Sequence, residues 1–325
     1  MKSQIKVFLL GGLGNQLFGT FFAHALNLNL PGKVTISDQL IPFGSNASRS
    51  LVVDSIAEAE INNLDVFRIS RKLRSLTLRS KMFRSLSWHF YKTFSIRNRL
   101  DLKGFWSLNS ASKKSFEILD YCDDWFFPEY VRSTKRLKAF EPSLETIPKE
   151  YLPYIRDGIV CHVRLGDYLS HPKIYKLLDD NYYLAAIQLI VDNSKKNDKP
   201  ILVITEDENE VTTYFPELAS RCEKIIGKRS NVSDIEAFYL MANARNLVAA
   251  NSTFSMWAAW FGLYSRENTI VPRIKNGSDT QGGFMELKWK IIESESGELI
   301  PNKEYEPWFS QRRHDFHGII ENLRN

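Results

Sequence analysis

With 325 residues, 43% apolar and 25% charged, the chain has material for two soluble domains and no apolar run near the roughly 20 residues of a membrane span. A formal charge of +5 with no nucleic-acid motif argues against a nucleic-acid partner. Three scattered cysteines, Cys122, Cys161 and Cys222, with no CxxC or HExxH, exclude a disulfide framework and fit a reducing, cytoplasmic compartment.

Residues 6–10 read as a first strand, because the apolar run before Gly11 is too short for a signal peptide. Gly11-Gly12-Leu13-Gly14-Asn15-Gln16 reads as a glycine-rich turn, residues 17–30 as a helix and residues 33–38 as a second strand. That βαβ unit, with Asp38 at its end, invites a dinucleotide fingerprint and an NAD-dependent oxidoreductase. Leu17 stands where the third glycine belongs, which argues against it. Two other readings stay open. One is a tight turn for close strand–helix packing; the other is a loop whose backbone approaches a ligand, with Asn15 reaching in.

Residues 40–150 are less regular, with a helical patch over 56–67 and an aromatic-rich stretch over 121–130. Between Val66 and Leu100 there are ten Lys or Arg and no acidic residue. This basic, partly amphipathic segment suggests peripheral membrane contact through residues 68–99, against the plainer alternative of a solvated helix. Pro142, Pro148 and Pro153 mark a boundary. The expected domains are 1–155, 156–290 and a tail, 291–325.

From Gly158 the chain alternates regularly. Strands are predicted at 159–163, 201–205, 224–226, 247–250 and 269–271, with helices at 182–192, 208–214, 234–244 and 254–263. Ser233-Asp234-Ile235-Glu236 is a capping box that starts the third of these helices. Such alternation means a parallel α/β sheet, and ligands bind beyond the carboxyl ends of its strands.

Three of those ends carry chemistry. His162, Arg164 and Asp167 follow the first strand. Glu206, Asp207 and Glu208 follow the second. Asn251, Ser252, Thr253 and Phe254 open the last helix. A guanidinium fork and a helix N-terminus both suit a phosphate, so a nucleotide diphosphate would use this edge. The structural alternative for Arg164 is a bridge to Asp167.

The segments Gly11 to Phe18, His162-Val163-Arg164-Leu165-Gly166-Asp167-Tyr168, Thr205-Glu206-Asp207 and Asn251 to Trp260 together resemble glycosyltransferase family 11, the bacterial α-1,2-fucosyltransferases. The resemblance implies a GT-B-like α/β fold, with two Rossmann-like domains whose parallel sheets face a cleft. It implies inverting, metal-independent transfer of L-fucose from GDP-fucose. The expected acceptor is a hydroxyl, O-2 of galactose, on a surface-polysaccharide or lipid-linked oligosaccharide. It also implies roles. Arg164 contacts the donor diphosphate, His162 the guanine side, and Asp167 belongs to the same motif. Asn251, Ser252, Thr253 and Phe254 line the diphosphate and fucose. Glu206-Asp207 stand where two aspartates are usual, and Gly12, Gly14 and Asn15 approach from the N-terminal loop. Arg164 and Asn15 are the expected catalytic residues, and no cofactor or metal ligand is expected. Leu165 replaces the motif's second arginine and Met256 a common tryptophan. A different GDP-sugar or linkage, and a non-catalytic nucleotide-sugar-binding protein, are the alternatives. The general base is not legible.

Overall fold

The computed structural model describes residues 4–37, 65–67, 99–109, 115–134, 147–173, 175–194, 198–262, 267–273, 289–301 and 305–324. Two compact α/β units result, residues 1–139 with 306–325, and residues 140–305.

The first unit holds a sheet of β1 (Ile5–Phe8), β2 (Val34–Ser37), β3 (Asp65–Phe67), β4 (Arg99–Leu100) and β5 (Phe116–Ile118), in the order β3-β2-β1-β5-β4. Every pairing is parallel. Helix α1 (Leu13–Asn29) crosses from β1 to β2 and begins earlier than predicted. Gly12 takes the N-cap position, and the Gln16 N–H closes the first turn on the Gly12 carbonyl at 2.9 Å. Gly14 lies inside the helix because Leu13, Gln16, Leu17 and Phe18 bury that turn, and packing outweighs glycine's poor propensity. Of the three glycines in this loop, Gly11, at φ 68°, is the one that needs glycine's left-handed freedom. Asp65–Phe67, predicted helical, is strand: it pairs with β2 in the register Thr35↔Asp65, and that pairing overrides the local pattern. The rest of that patch lies outside the described residues, as do Asp38 and the basic segment up to residue 98. Helices α2 (Leu102–Trp106) and α3 (Phe126–Ser133) complete the run to the boundary.

The second unit contains α4 (Leu152–Arg156), β6 (Ile159–Val163), α5 (Gly166–Ser170), α6 (Asp180–Asp192), β7 (Ile201–Thr205), α7 (Glu208–Tyr214), α8 (Pro216–Arg221) and β8 (Lys224–Ile226). There follow α9 (Asp234–Asn243), β9 (Asn246–Val248), α10 (Thr253–Phe261), β10 (Asn268–Arg273), β11 (Lys290–Glu293) and β12 (Leu299–Ile300). The sheet order is β12-β11-β10-β9-β6-β7-β8, parallel except for β12. The predicted end of the sheet near Val271 is corrected by β11, which adds to β10 in the register Ile270↔Lys290. Two buried isoleucines in a four-residue strand are too brief a pattern to read from sequence. The chain winds outward from β6 to β8, then returns to β6's other side with β9. The switch point therefore falls between β6 and β9, where Cys161 pairs with Val248.

The units also differ from the expected domains at 1–155, 156–290 and 291–325. Residues 140–155 join the second unit, where the Arg245 N–H bonds the Ile155 carbonyl at 2.8 Å and Lys224 pairs with Glu150 at 2.6 Å. The expected tail is divided. Its start belongs to β11 and β12, whereas α11 (Tyr305–Arg324) returns to the first unit. There Phe316 packs among Phe105, Phe126, Phe127 and Tyr130, with ring centroids 4.9 to 6.4 Å away.

Candidate active site

Strand β6 is buried throughout, and it carries the candidate His162 beside a buried Cys161. His162 is 3% exposed, with its ring 5.8 Å from Phe254 and its Nδ1 buried without a hydrogen-bond partner. Burial first, and the nearby Arg164 charge second, push its pKa from 6.5 to about 3. The imidazole is therefore neutral at physiological pH.

A stability prediction follows with a definite sign. The folded pKa lies below the unfolded value, so the contribution is complete above pH 6.5 and is lost as pH falls through 6.5 towards 3. At about 1.4 kcal/mol per pH unit, the loss approaches about 2 kcal/mol at pH 5. Melting profiles of the native chain and of His162→Gln, taken from pH 7.5 to 5, are expected to converge as pH falls. Parallel profiles would refute a neutral buried His162.

Beyond β6 the chain turns at Gly166, φ 33°, so that Asp167 folds back onto Arg164. The Arg164 Nη2 meets Asp167 Oδ1 at 2.5 Å, and its Nη1 pairs with Glu206 at the end of β7. Glu206 also accepts the Leu165 N–H at 3.0 Å. All three charged groups are about one-fifth exposed. The structural reading of Arg164 thus holds as far as Asp167 and extends to Glu206. One guanidinium against two carboxylates leaves the cluster net negative, so an arriving diphosphate needs further donors.

The end of β9 has them. Ser252 caps α10 by accepting the Phe254 N–H at 3.3 Å, and no acidic residue lies in the first turn. The helix is anchored by Met256, Trp257 and Trp260, each no more than 3% exposed, which fixes its N-terminus at the sheet edge. First-turn N–H groups lack intrahelical acceptors and sit at the positive end of the helix dipole. The Asn251 side chain is used locally, donating to the Lys176 carbonyl at 2.8 Å. Asp207 is exposed and caps α7 through the Asn209 N–H at 3.1 Å. Phe254 packs between His162 and Phe238, whose rings lie 5.8 and 5.6 Å away.

The predicted residues therefore fall into two groups. His162, Arg164, Asp167, Glu206, Asn251, Ser252, Thr253 and Phe254 share the carboxyl edge of the second sheet, with Asp207 at its margin. Gly12, Gly14 and Asn15 occupy the corresponding edge of the first sheet. There a β-carbon on Gly11 would meet Asn15 Nδ2 at 2.7 Å, the movable end of a side chain, so the positive φ is the stronger reason for glycine. Sequence reasoning gave no role to Tyr168. Its position four residues past Arg164 was the available signal. Its hydroxyl donates to the Asn251 carbonyl at 2.7 Å and so crosses the switch point.

Among the described residues, no group of three or more His, Cys, Asp or Glu could hold a metal ion. A cavity of about 340 Å³ lined by Glu150, Pro153, Tyr154, Asp198, Pro200 and Glu223 lies at the opposite edge of this sheet. Its lining is acidic and away from the charged cluster, so it does not suit a phosphate.

Residues 137–288 match the family model for Glycosyl transferase family 11. The chain is 25% identical over 279 residues to an alpha-1,2-colitosyltransferase of Escherichia coli, covering 81% of this chain and 89% of the relative. It is 32% identical over 122 residues to the O-antigen biosynthesis glycosyltransferase WbnK of Escherichia coli, covering 34% of this chain and 37% of the relative. Among solved structures, the NodZ alpha-1,6-fucosyltransferase soaked with GDP-fucose aligns over 93% of this chain and 100% of its own, with a TM-score of 0.45 and 12% identity. The family match spans the sheet edge built above, so the likeness to glycosyl transferase family 11 rests on the segment that carries the candidate site.

Proposed function

We propose that the chain transfers L-fucose, or a closely related deoxyhexose, from its GDP-sugar to a glycan hydroxyl, with inversion and without a metal ion. The observation that carries this reading is the placement of Arg164 and the α10 N-terminus at the ends of β6 and β9, on either side of one switch point. The acceptor oxygen attacks the anomeric carbon as the bond to the GDP oxygen breaks. The acceptor's proton leaves to a base or to solvent, and GDP departs with the bonding electrons. Charge grows on the departing diphosphate, and fixed donors there lower the barrier. Arg164 supplies a fork, and the Thr253 end of α10 supplies backbone N–H groups. Neutral His162 faces the donor without adding charge. Gly12, Gly14 and Asn15 of the N-terminal loop are proposed as further donor-binding residues.

The acceptor proposed is galactose O-2 in an O-antigen or lipid-linked oligosaccharide, on the cytoplasmic face. The basic segment 68–99 is assigned peripheral contact with an anionic bilayer; salt-insensitive or absent flotation with such vesicles would remove that part. The colitosyltransferase relative supports a second donor. Colitose is fucose without its 3-hydroxyl, so one pocket can be asked to distinguish them. GDP-fucose and GDP-colitose should be offered with a galactose-terminated acceptor, and the product linkage read by NMR. An α-1,2 fucosyl product supports the first reading, and a product from GDP-colitose alone replaces the donor. No product from either GDP-sugar refutes the proposed donor class.

A further inference from the structure

We propose that Tyr168 is a positioning residue that ties the Arg164 loop to the α10 N-terminus and holds both in register for the departing diphosphate. This rests on the GDP-sugar reading of the same edge, and no donor contact is assigned to Tyr168 itself.

Four contacts converge on this side chain or on its target. The hydroxyl donates to the Asn251 carbonyl at 2.7 Å, one residue before the cap of α10. The ring lies under the Arg164 guanidinium, 5.5 Å from its carbon. The other partner is Tyr175, stacked in parallel at 4.6 Å and 4°. Asn251 is held a second time, through its side-chain donation to the Lys176 carbonyl at 2.8 Å. Tyr168 is itself 9% exposed and its bond to Asn251 is partly buried, whereas Tyr175 and the Asn251–Lys176 bond face solvent.

The chemistry suits a tie rather than an acid or base. Burial is the largest of the influences that raise the Tyr168 pKa to about 12, so the hydroxyl stays protonated and donating. A guanidinium over a tyrosine face is also restrained in the plane from which its N–H groups project. Arg164 and the Thr253 N–H come from loops far apart in sequence, and β6 and β9 alone do not fix the positions of their loop ends. A displacement of about 1 Å between such donors is enough to lower turnover strongly.

The test uses the full chain and two variants. Tyr168→Phe keeps the ring under Arg164 and the stack on Tyr175 but loses the hydroxyl. Tyr168→Leu loses both. Hydrogen–deuterium exchange is read at 251–256 against 201–205, and steady-state kinetics with GDP-fucose or GDP-colitose are read alongside. The expected result for Tyr168→Phe is roughly tenfold faster exchange at 251–256 with 201–205 unchanged, and kcat about tenfold lower with donor KM within about threefold. Tyr168→Leu should fall further, about 100-fold in kcat. Unchanged exchange in Tyr168→Phe overturns the tie. Faster exchange with native kcat overturns the positioning role and leaves a structural one. Should the native chain turn over no GDP-sugar, the proposed reaction fails, and the exchange result still decides the tie.

Discussion

Replacing Arg164 by alanine is expected to lower kcat/KM for the GDP-sugar at least about 100-fold, the scale of losing one preorganised donor at a developing charge. Most of the loss should appear in kcat, because the charge on GDP is largest in the transition state. The substitution also leaves Asp167 and Glu206 without their shared cation. These groups are partly exposed, so the stability cost should fall between a surface and a buried pair, about 1–2 kcal/mol. A melting curve therefore separates the effects: a modest shift beside a large kinetic loss assigns Arg164 to the donor. Arg164→Lys is the informative companion. An ammonium cannot reproduce the planar fork that serves two carboxylates and a phosphate together, so most activity should remain lost. Native turnover in Arg164→Ala would return Arg164 to a purely structural bridge.

The second large effect is expected at Thr253, where a substitution can remove a backbone donor and leave the helix in place. Thr253 is the first residue of α10, and proline is accommodated at that position because its missing N–H has no intrahelical partner. Ser252 is already extended, at φ −115° and ψ 133°, which is the conformation a following proline demands. Thr253→Pro should then fold with nearly the native melting temperature and lose about 100-fold in kcat. Thr253→Val, which keeps the N–H and removes the hydroxyl, should lose far less. Equal kinetic losses in the two variants would mean that the hydroxyl, not the backbone, meets the donor. Native kinetics in Thr253→Pro would remove the α10 N-terminus from the reaction.

The sequence made the second unit legible because its strands are short, buried runs bounded by polar ends. The Ser233 capping box is present as read, with the Glu236 N–H donating to Ser233 Oγ at 3.2 Å and Glu236 accepting the Ser233 N–H at 2.7 Å. These are local signals, set within four residues. What was missed is non-local. Glu206 meets Arg164 across 42 positions, and no pattern within either segment announces the pair. Tyr168 reaches Asn251 across 83 positions. β3, β11 and β12 are strands because a neighbour accepts them, since two to four residues carry too little periodicity to declare themselves. The early start of α1 was hidden by Gly12 and Gly14, read as a turn, although only Gly11 has positive φ in that loop. The return of α11 was hidden for a similar reason: Phe316 finds its aromatic partners in residues 105–130.

The most direct measurement is GDP release from GDP-fucose and GDP-colitose by the native chain, after exhaustive treatment with a chelator, beside Arg164→Ala. The proposed reaction predicts release that is indifferent to the chelator and reduced at least about 100-fold in the variant. Release that stops with the chelator and returns with a divalent cation would contradict it, as would equal rates in the two proteins.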